Sequence, residues 1–435
     1  MKRFNKTTIS WLALVPLLYL FPILPQYVYI TSGLNVVNFL GALFVVVIIL
    51  GGRVYKWHLP SLMVPYFLYV GIYAVMYLVE AGILKAGTYT IMCIIVPFLA
   101  VGLINDRHKF YKAVDILIDG GFLLAIIGVI EAIVKVNFVQ LLATAEDAEF
   151  FHEIRYGLLR IMTTFGQPIS YGLYQVFITA LIIYRLNTKE LAEKRRLFLY
   201  LVYFLSVLNV MLSVSRIPIL ACVLLHIFLL YKSSKKKFLN YAILGIIIVL
   251  VGSIVCESLG IRVPFISDLL KSLYILISGS ESVSSTVGVG NRLDLWSWVY
   301  LSMDNSWIWG RGITTEFAYK VYDWSTKTSI ENQYLHILYH NGIVGLITLI
   351  LNYVSTLVFA KKSDHRFGCA LDENKISFNG ILFVLLFIYY MCEFGVQESD
   401  MTRCYVIVIA LLISYNRIIW RERSLKMELA RRQFS

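Results

Sequence analysis

Twelve mostly apolar stretches follow one another along this chain, near 9–27, 33–51, 61–82, 87–105, 113–134, 167–185, 197–214, 216–231, 238–256, 332–360, 376–396 and 401–420. About 20 apolar residues are what an α-helix needs to cross the hydrocarbon core of a bilayer. In that core each backbone N–H and C=O must find a partner inside the protein, which a helix provides segment by segment. The pattern predicts an all-α polytopic membrane protein with about 12 transmembrane helices, forming a single integral membrane domain over residues 1–435. Pro16, Pro22 and Pro25 interrupt the first stretch. With 59% hydrophobic and 15% charged residues, the chain lies outside the soluble range of roughly 45–50% apolar and about 25% charged.

The net charge of +12 could suggest nucleic-acid binding, so the positions of the basic residues decide its meaning. With the N-terminus placed in the cytoplasm, 27 of the 39 Lys and Arg fall on the inner side, and each inner connection is basic. Examples are Arg53 and Lys56, Arg107 and Lys109, and Lys232 with Lys235 to Lys237; the tail from Arg417 on carries six more. This is the positive-inside bias. It orients the chain with both termini cytoplasmic and makes a nucleic-acid partner unnecessary. The six cysteines form no CxxC pair and mostly lie in apolar stretches, as small packing residues do. No separate soluble domain and no small-residue cleavage site after the first stretch are expected.

Two sizeable segments then face outward, residues 135–166 and the large outer loop 257–331. Long loops in compact proteins tend to be functional. Arg155, Arg160, Arg216, Arg292, Arg311 and Arg403 lie in or beside the outer segments. Any one of them could contact a lipid headgroup or pair with Glu146, Glu149, Glu153 or Asp294. As a set they fit a shared anionic substrate, because a guanidinium binds phosphate or carboxylate through a planar fork of donors. Five of the eight tryptophans fall between 296 and 324. Tryptophan is common at membrane interfaces, and its ring face is also a platform for sugar rings. The spacing over 291–303 predicts a short amphipathic helix on the outer leaflet, with Asn291 as its N-cap and Gly310 and Gly312 turning the chain around Arg311.

The stretch "SIENQYLHILYHNGIVGLITLI" at 329–350 passes from polar to hydrocarbon. Thr328 and Glu331 fit a capping box at the outer end of a membrane helix. Asn332, His336 and His340 recur every four residues, a polar stripe that would face a bundle interior or a wet cavity. Gly342 and Gly345 permit close packing further along. The pair His336 and His340 alone is a weak metal signal; there is no HExxH, no DxD and no neighbouring cysteine, so no metal is expected. No GxSxG elbow of a serine hydrolase occurs.

The stretches "VGVGNRLDLWSWVYLSMDNSWIWGRGITTEF" and "SIENQYLHILYHNGIVGLITLI" together resemble the O-antigen ligase/polymerase family of bacterial membrane proteins, the Wzy and WaaL type. The matching residues are Asn291 and Arg292, Trp296, Gly310 to Gly312, Asn332, Tyr334 and Leu335, and Gly342 to Leu346. Arg160, Gly166 and Pro168 fit a second motif of the family, and "SVSR" at 213–216 a third. The resemblance implies a GT-C-like membrane enzyme of the bacterial cytoplasmic (inner) membrane that assembles glycans on its outer face. Its donor would be a glycan on undecaprenyl diphosphate. The acceptor would be a second lipid-linked repeat unit for a polymerase of O-antigen, capsule or exopolysaccharide, and a different carrier for a ligase. No cofactor is implied; a chain-length regulator would be a further partner. Ligase-type members carry His where this chain has Glu331, which favours the polymerase. On this reading Arg160, Arg216, Arg292 and Arg311 bind the two phosphates, with Arg155 in support. Glu331 is the general base, with His336 as the alternative; Asn332 and Tyr334 position sugar hydroxyls, and Trp296 and Trp298 stack on sugar rings. A transporter or flippase is the competing class, since twelve helices with inner termini also suit transport; a non-catalytic scaffold is a third.

Overall fold

The computed structural model describes residues 6–24, 28–31, 34–50, 59–138, 154–155, 158–188, 191–233, 290–322, 325–327, 330–367, 377–395 and 402–434. The helices are α1 (Lys6–Leu20), α2 (Val36–Leu50), α3 (Val64–Glu80), α4 (Ile83–Thr90), α5 (Val96–Leu103), α6 (Arg107–Val134), α7 (Pro168–Leu186), α8 (Glu193–Leu212), α9 (Arg216–Ser233), α10 (Gly290–Ser302), α11 (Gln333–Phe367), α12 (Phe378–Cys392) and α13 (Thr402–Phe434). Three two-stranded antiparallel hairpins sit in the connections: β1 (Tyr29–Thr31) with β2 (Leu34–Asn35), β3 (Ile154–Arg155) with β4 (Leu158–Leu159), and β5 (Tyr319–Tyr322) with β6 (Ser325–Lys327).

Among the described residues eight helices are long and apolar enough to span a membrane, from Ser61–Glu80 to Thr402–Leu425. Each coincides with one of the twelve apolar stretches. The shorter apolar helices Val36–Leu50 and Arg216–Tyr231 coincide with two more. The first stretch forms the 15-residue α1, with Pro16 inside it, and 238–256 lies outside the described residues. The membrane-spanning, all-helical class is therefore as expected.

Helices α7 and α13 are the most enclosed of the long spans. Helix α7 packs against α6, α8, α9 and α12, and α13 against α5, α6, α11 and α12. Their buried residues lie around the whole circumference and are mostly apolar, as in Cys404–Ile413 of α13, the mark of a helix buried on all sides. Helices α3 and α8 have the fewest buried residues of the long spans, which puts them at the rim. Local chemistry sets the ends. Asp106 caps α6 by accepting the Lys109 N–H at 2.8 Å, Ser377 caps α12 through Gly380 at 3.0 Å, and Pro168 opens α7 where its missing N–H costs nothing.

A π-turn, Ile91–Ile95, joins α4 to α5. Its cause is Pro97, which lacks an N–H and crowds the carbonyl four residues earlier, that of Cys93. The Tyr66 hydroxyl donates to that carbonyl instead, at 2.6 Å. One end of the bundle gathers ion pairs: Arg107 with Glu422, Arg185 with Asp115, and Arg195 with Asp119. The opposite end carries the segments expected to face outward.

Candidate active site

Helix α11 begins one turn later than a capping box on Thr328 and Glu331 requires. The cap is Asn332, whose Oδ1 accepts the Leu335 N–H at 3.1 Å while its amide donates to the Phe394 carbonyl at 3.1 Å. Glu331 sits outside the helix and is exposed, and Thr328 lies outside the described residues. Tyr334 stacks on Phe394 at 4.4 Å and donates its hydroxyl to the Tyr390 carbonyl. The side chains of Asn332 and Tyr334 thus both dock α11 onto the end of α12.

Ten residues on, Gly342 breaks the helix with φ 65° and ψ −164°. The outer segment 306–312 fills the break. The Arg311 and Gly312 N–H groups donate to the Tyr339 and His340 carbonyls, while the Ile343 and Val344 N–H groups donate to the Trp307 and Ile308 carbonyls. Hydrogen bonds that α11 loses at Gly342 are thereby remade with the outer segment, which is how irregular backbone is tolerated at membrane depth. The His340 Nδ1–H donates to the Gly312 carbonyl at 2.8 Å. Gly310 and Gly312 take φ of 79° and 98°, the turn expected around Arg311. The Arg311 guanidinium is directed to Asp304 at 2.6 Å and to the Ser302 carbonyl.

The polar stripe of α11 is therefore divided. Asn332 caps, His340 holds the outer segment, and His336 lines a cavity of about 510 Å³. That cavity is walled by the starts of α2, α11 and α13, by α3 from Tyr66 to Tyr77, and by α4 with the π-turn that follows it. Among the described residues that line it, the charged side chains are Lys85 and Arg403 and none is a carboxylate. Gln333 and His336 face it from α11. Five tyrosines of α3 and α4, Tyr66, Tyr69, Tyr73, Tyr77 and Tyr89, form one wall, and Tyr405 of α13 adds a sixth ring.

Arg403 is 5% exposed. Its Nη1 donates to the carbonyls of Phe21 and Leu24, and its guanidinium stands 5.7 Å from the Phe165 ring centroid. Phe165 belongs to the segment after β4, which Glu131 of α6 holds by accepting the Thr163 N–H at 3.0 Å. Arg160 ties the same segment to the turn between α8 and α9, through the Ser215 hydroxyl at 2.7 Å and the Ser213 carbonyl at 3.5 Å. Arg216, half-buried, opens α9 beside Ser215. Arg160 and Arg216 are thus brought to one turn, and neither is among the cavity-lining residues.

Helix α10 covers the stretch expected to be helical, but it starts at Gly290, so Asn291 lies inside it and is not its N-cap. Trp296 and Trp298 are largely exposed on it. Trp296, Tyr300, Trp307, Leu335 and Leu338 line a second cavity of about 540 Å³ between α10 and α11. Apart from Ser297 its wall is aromatic and aliphatic. The side chains of Arg155 and Arg292 lie outside the described residues. No group of three or more His, Cys, Asp or Glu able to hold a metal ion occurs among the described residues.

Sequence pattern gives Arg403 no role beyond membership of the outer arginine set and does not single out the tyrosine wall. The signal for the wall was present. Tyr66, Tyr69, Tyr73 and Tyr77 are spaced by three, four and four residues, one face of a helix.

No curated protein matches the chain. Residues 201–350 match a family model described as O-Antigen ligase; the match runs from within α8, through α9 and α10, to the first half of α11. This segment holds the turn at Arg216, the Gly-Arg-Gly turn and the cavity-lining start of α11, and through it the chain is similar to the O-antigen ligase family that the model describes.

Proposed function

We propose that this chain is a polymerase that joins undecaprenyl-diphosphate-linked oligosaccharide units into a surface polysaccharide on the outer face of the bacterial cytoplasmic membrane. The observation that carries the reading is the cavity of about 510 Å³, whose described lining includes Lys85, Arg403 and His336 and no carboxylate. A cationic cavity without carboxylates suits a diphosphate, and its aromatic wall suits sugars.

In the reaction the acceptor hydroxyl oxygen attacks the anomeric carbon of the donor glycan. A new glycosidic C–O bond forms, and the bond from that carbon to the diphosphate oxygen breaks. The lipid diphosphate leaves with the electron pair, and the Arg403 and Lys85 charges stabilise it as it departs. The acceptor proton passes to a general base. His336 suits this role better than Glu331, because it lines the cavity while Glu331 is exposed outside the helix. Arg160 and Arg216 act from the adjoining turn, Arg216 toward the phosphates and Arg160 by holding the segment that carries Phe165 under Arg403. Arg292, Arg311 and Arg155 are secondary phosphate contacts. The orientation with both termini in the cytoplasm agrees with the basic end of the bundle.

The test uses purified protein in liposomes with a lipid-linked oligosaccharide repeat unit, resolved on a gel. A ladder of evenly spaced products is the expected result. Transfer of a single glycan only when a foreign acceptor is added would make the chain a ligase. Absence of either product overturns the glycosyltransferase reading and returns the transporter class.

A further inference from the structure

The tyrosine wall is more than cavity lining. Tyr66 to Tyr77 covers eleven residues of α3, about 16 Å along the helix axis, longer than one sugar ring. Exposure rises along it. Tyr66 is 1% exposed and its hydroxyl is used by the Cys93 carbonyl, Tyr69 and Tyr73 are 7% and 8% exposed, and Tyr77 and Tyr89 are half-buried. The cavity therefore deepens from Tyr77 and Tyr89 toward Tyr66, Tyr405 and Arg403. At its mouth Tyr73 and Tyr89 are stacked at 5.5 Å with 29° between their planes, and Tyr77 and Tyr89 lie 5.2 Å apart. Asn35, Asn38, Thr88 and Lys85 line the same cavity. Ring faces for the C–H surface of a sugar, with amides, a hydroxyl and an ammonium for its hydroxyl edge, are the two chemistries a neutral glycan needs. The second cavity, beneath α10, offers the faces with almost no polar partners.

We propose that the tyrosine wall is a cleft for the acceptor glycan, whose sugar rings lie against Tyr73, Tyr77 and Tyr89 at the mouth while its reacting hydroxyl reaches His336. This deepens the glycosyltransferase reading and rests on it. The rings also pack on one another; what packing alone would not call for is that they line a cavity together with Asn35, Asn38, Thr88 and Lys85.

The experiment measures binding, apart from turnover. The probe is the oligosaccharide released by mild acid from the lipid-linked repeat unit of the cell that makes the protein, offered to the full chain in lipid nanodiscs. Saturation-transfer NMR from protein aromatic protons to the sugar is the readout. The wild type and the double variant Tyr73→Phe/Tyr89→Phe, which keeps both faces, should give equal signals. Tyr73→Leu/Tyr89→Leu should weaken binding by about tenfold or more, the loss expected of two stacking faces. A matched thermal transition of the Phe and Leu variants shows that both are folded. No transfer from the wild type, or an undiminished signal from the folded Leu variant, overturns the cleft. A wild type that binds the oligosaccharide and yields no product in liposomes overturns the enzymatic reading and leaves the cleft standing.

Discussion

At the scale of single residues, the sharpest constraint is Gly342. Its φ of 65° and ψ of −164° belong to a region that residues with a side chain essentially do not enter, at a cost of about 1–3 kcal/mol. A Cβ there would also run into the Ile308 carbonyl and the Gly310 amide. Gly310 is in the same position toward the His340 carbonyl. Gly342→Ala and Gly310→Ala should each lower the thermal midpoint in detergent and the yield of folded protein. Gly71→Ala is the control: it lies within α3 with nothing within 4 Å of the added carbon, so the change should be neutral or stabilise by about 0.5–1 kcal/mol. The proton acceptor is decided at the same scale. His336→Gln should reduce glycan transfer by about 10²–10⁴, the usual contribution of a general base, while Glu331→Gln should leave the rate near that of the wild type. Initial rates in liposomes separate the two, and a strong loss in Glu331→Gln with a normal His336→Gln would reverse the assignment.

Elements meet through side chains whose roles the sequence only half reveals. Asn332 was visible as part of a polar stripe, yet it works as the N-cap of α11 and as a tie to α12. Asn332→Ala should destabilise by about 1–2 kcal/mol, measured as a lower thermal midpoint. Asn332→Ser should recover the cap and not the bond to Phe394. Hydropathy over about 20 residues places the spanning helices, because each solves its backbone problem locally. The Gly-Arg-Gly turn and the break at Gly342 were legible as places of close approach. That the two complete each other's hydrogen bonds was not, because the partner carbonyls lie about thirty residues away in sequence. Arg403 was harder still. It meets Phe21 and Leu24 from almost the other end of the chain and Phe165 from the middle, and no local pattern encodes such convergence. The tyrosine face of α3 was readable from spacing, but helical spacing cannot tell a face turned to a cavity from one turned to lipid or core.

For the whole molecule, the arrangement has a direction. One end holds Arg107 with Glu422, Arg185 with Asp115 and Arg195 with Asp119; the other holds the cavity mouth, the Arg160 turn and the outer segment against α11. Lys and Arg collect on the cytoplasmic side, so the ion-pair end should be inside and the cavity should open outward, where a lipid-linked glycan could be used. Two exposed positions report the sidedness. Thr314 lies in the outer segment, where its N–H donates to Glu80, a bond that a cysteine keeps; Lys194 lies in the first turn of α8 at the ion-pair end. In a background with the six native cysteines changed to alanine, a membrane-impermeant maleimide should label Thr314→Cys in intact spheroplasts. It should label Lys194→Cys only after the membrane is opened. The reverse pattern would turn the cavity toward the cytoplasm and remove the outer-face chemistry with it. Labelling of both in intact spheroplasts would mean that the two positions share a side, contrary to their places at opposite ends of the described helices.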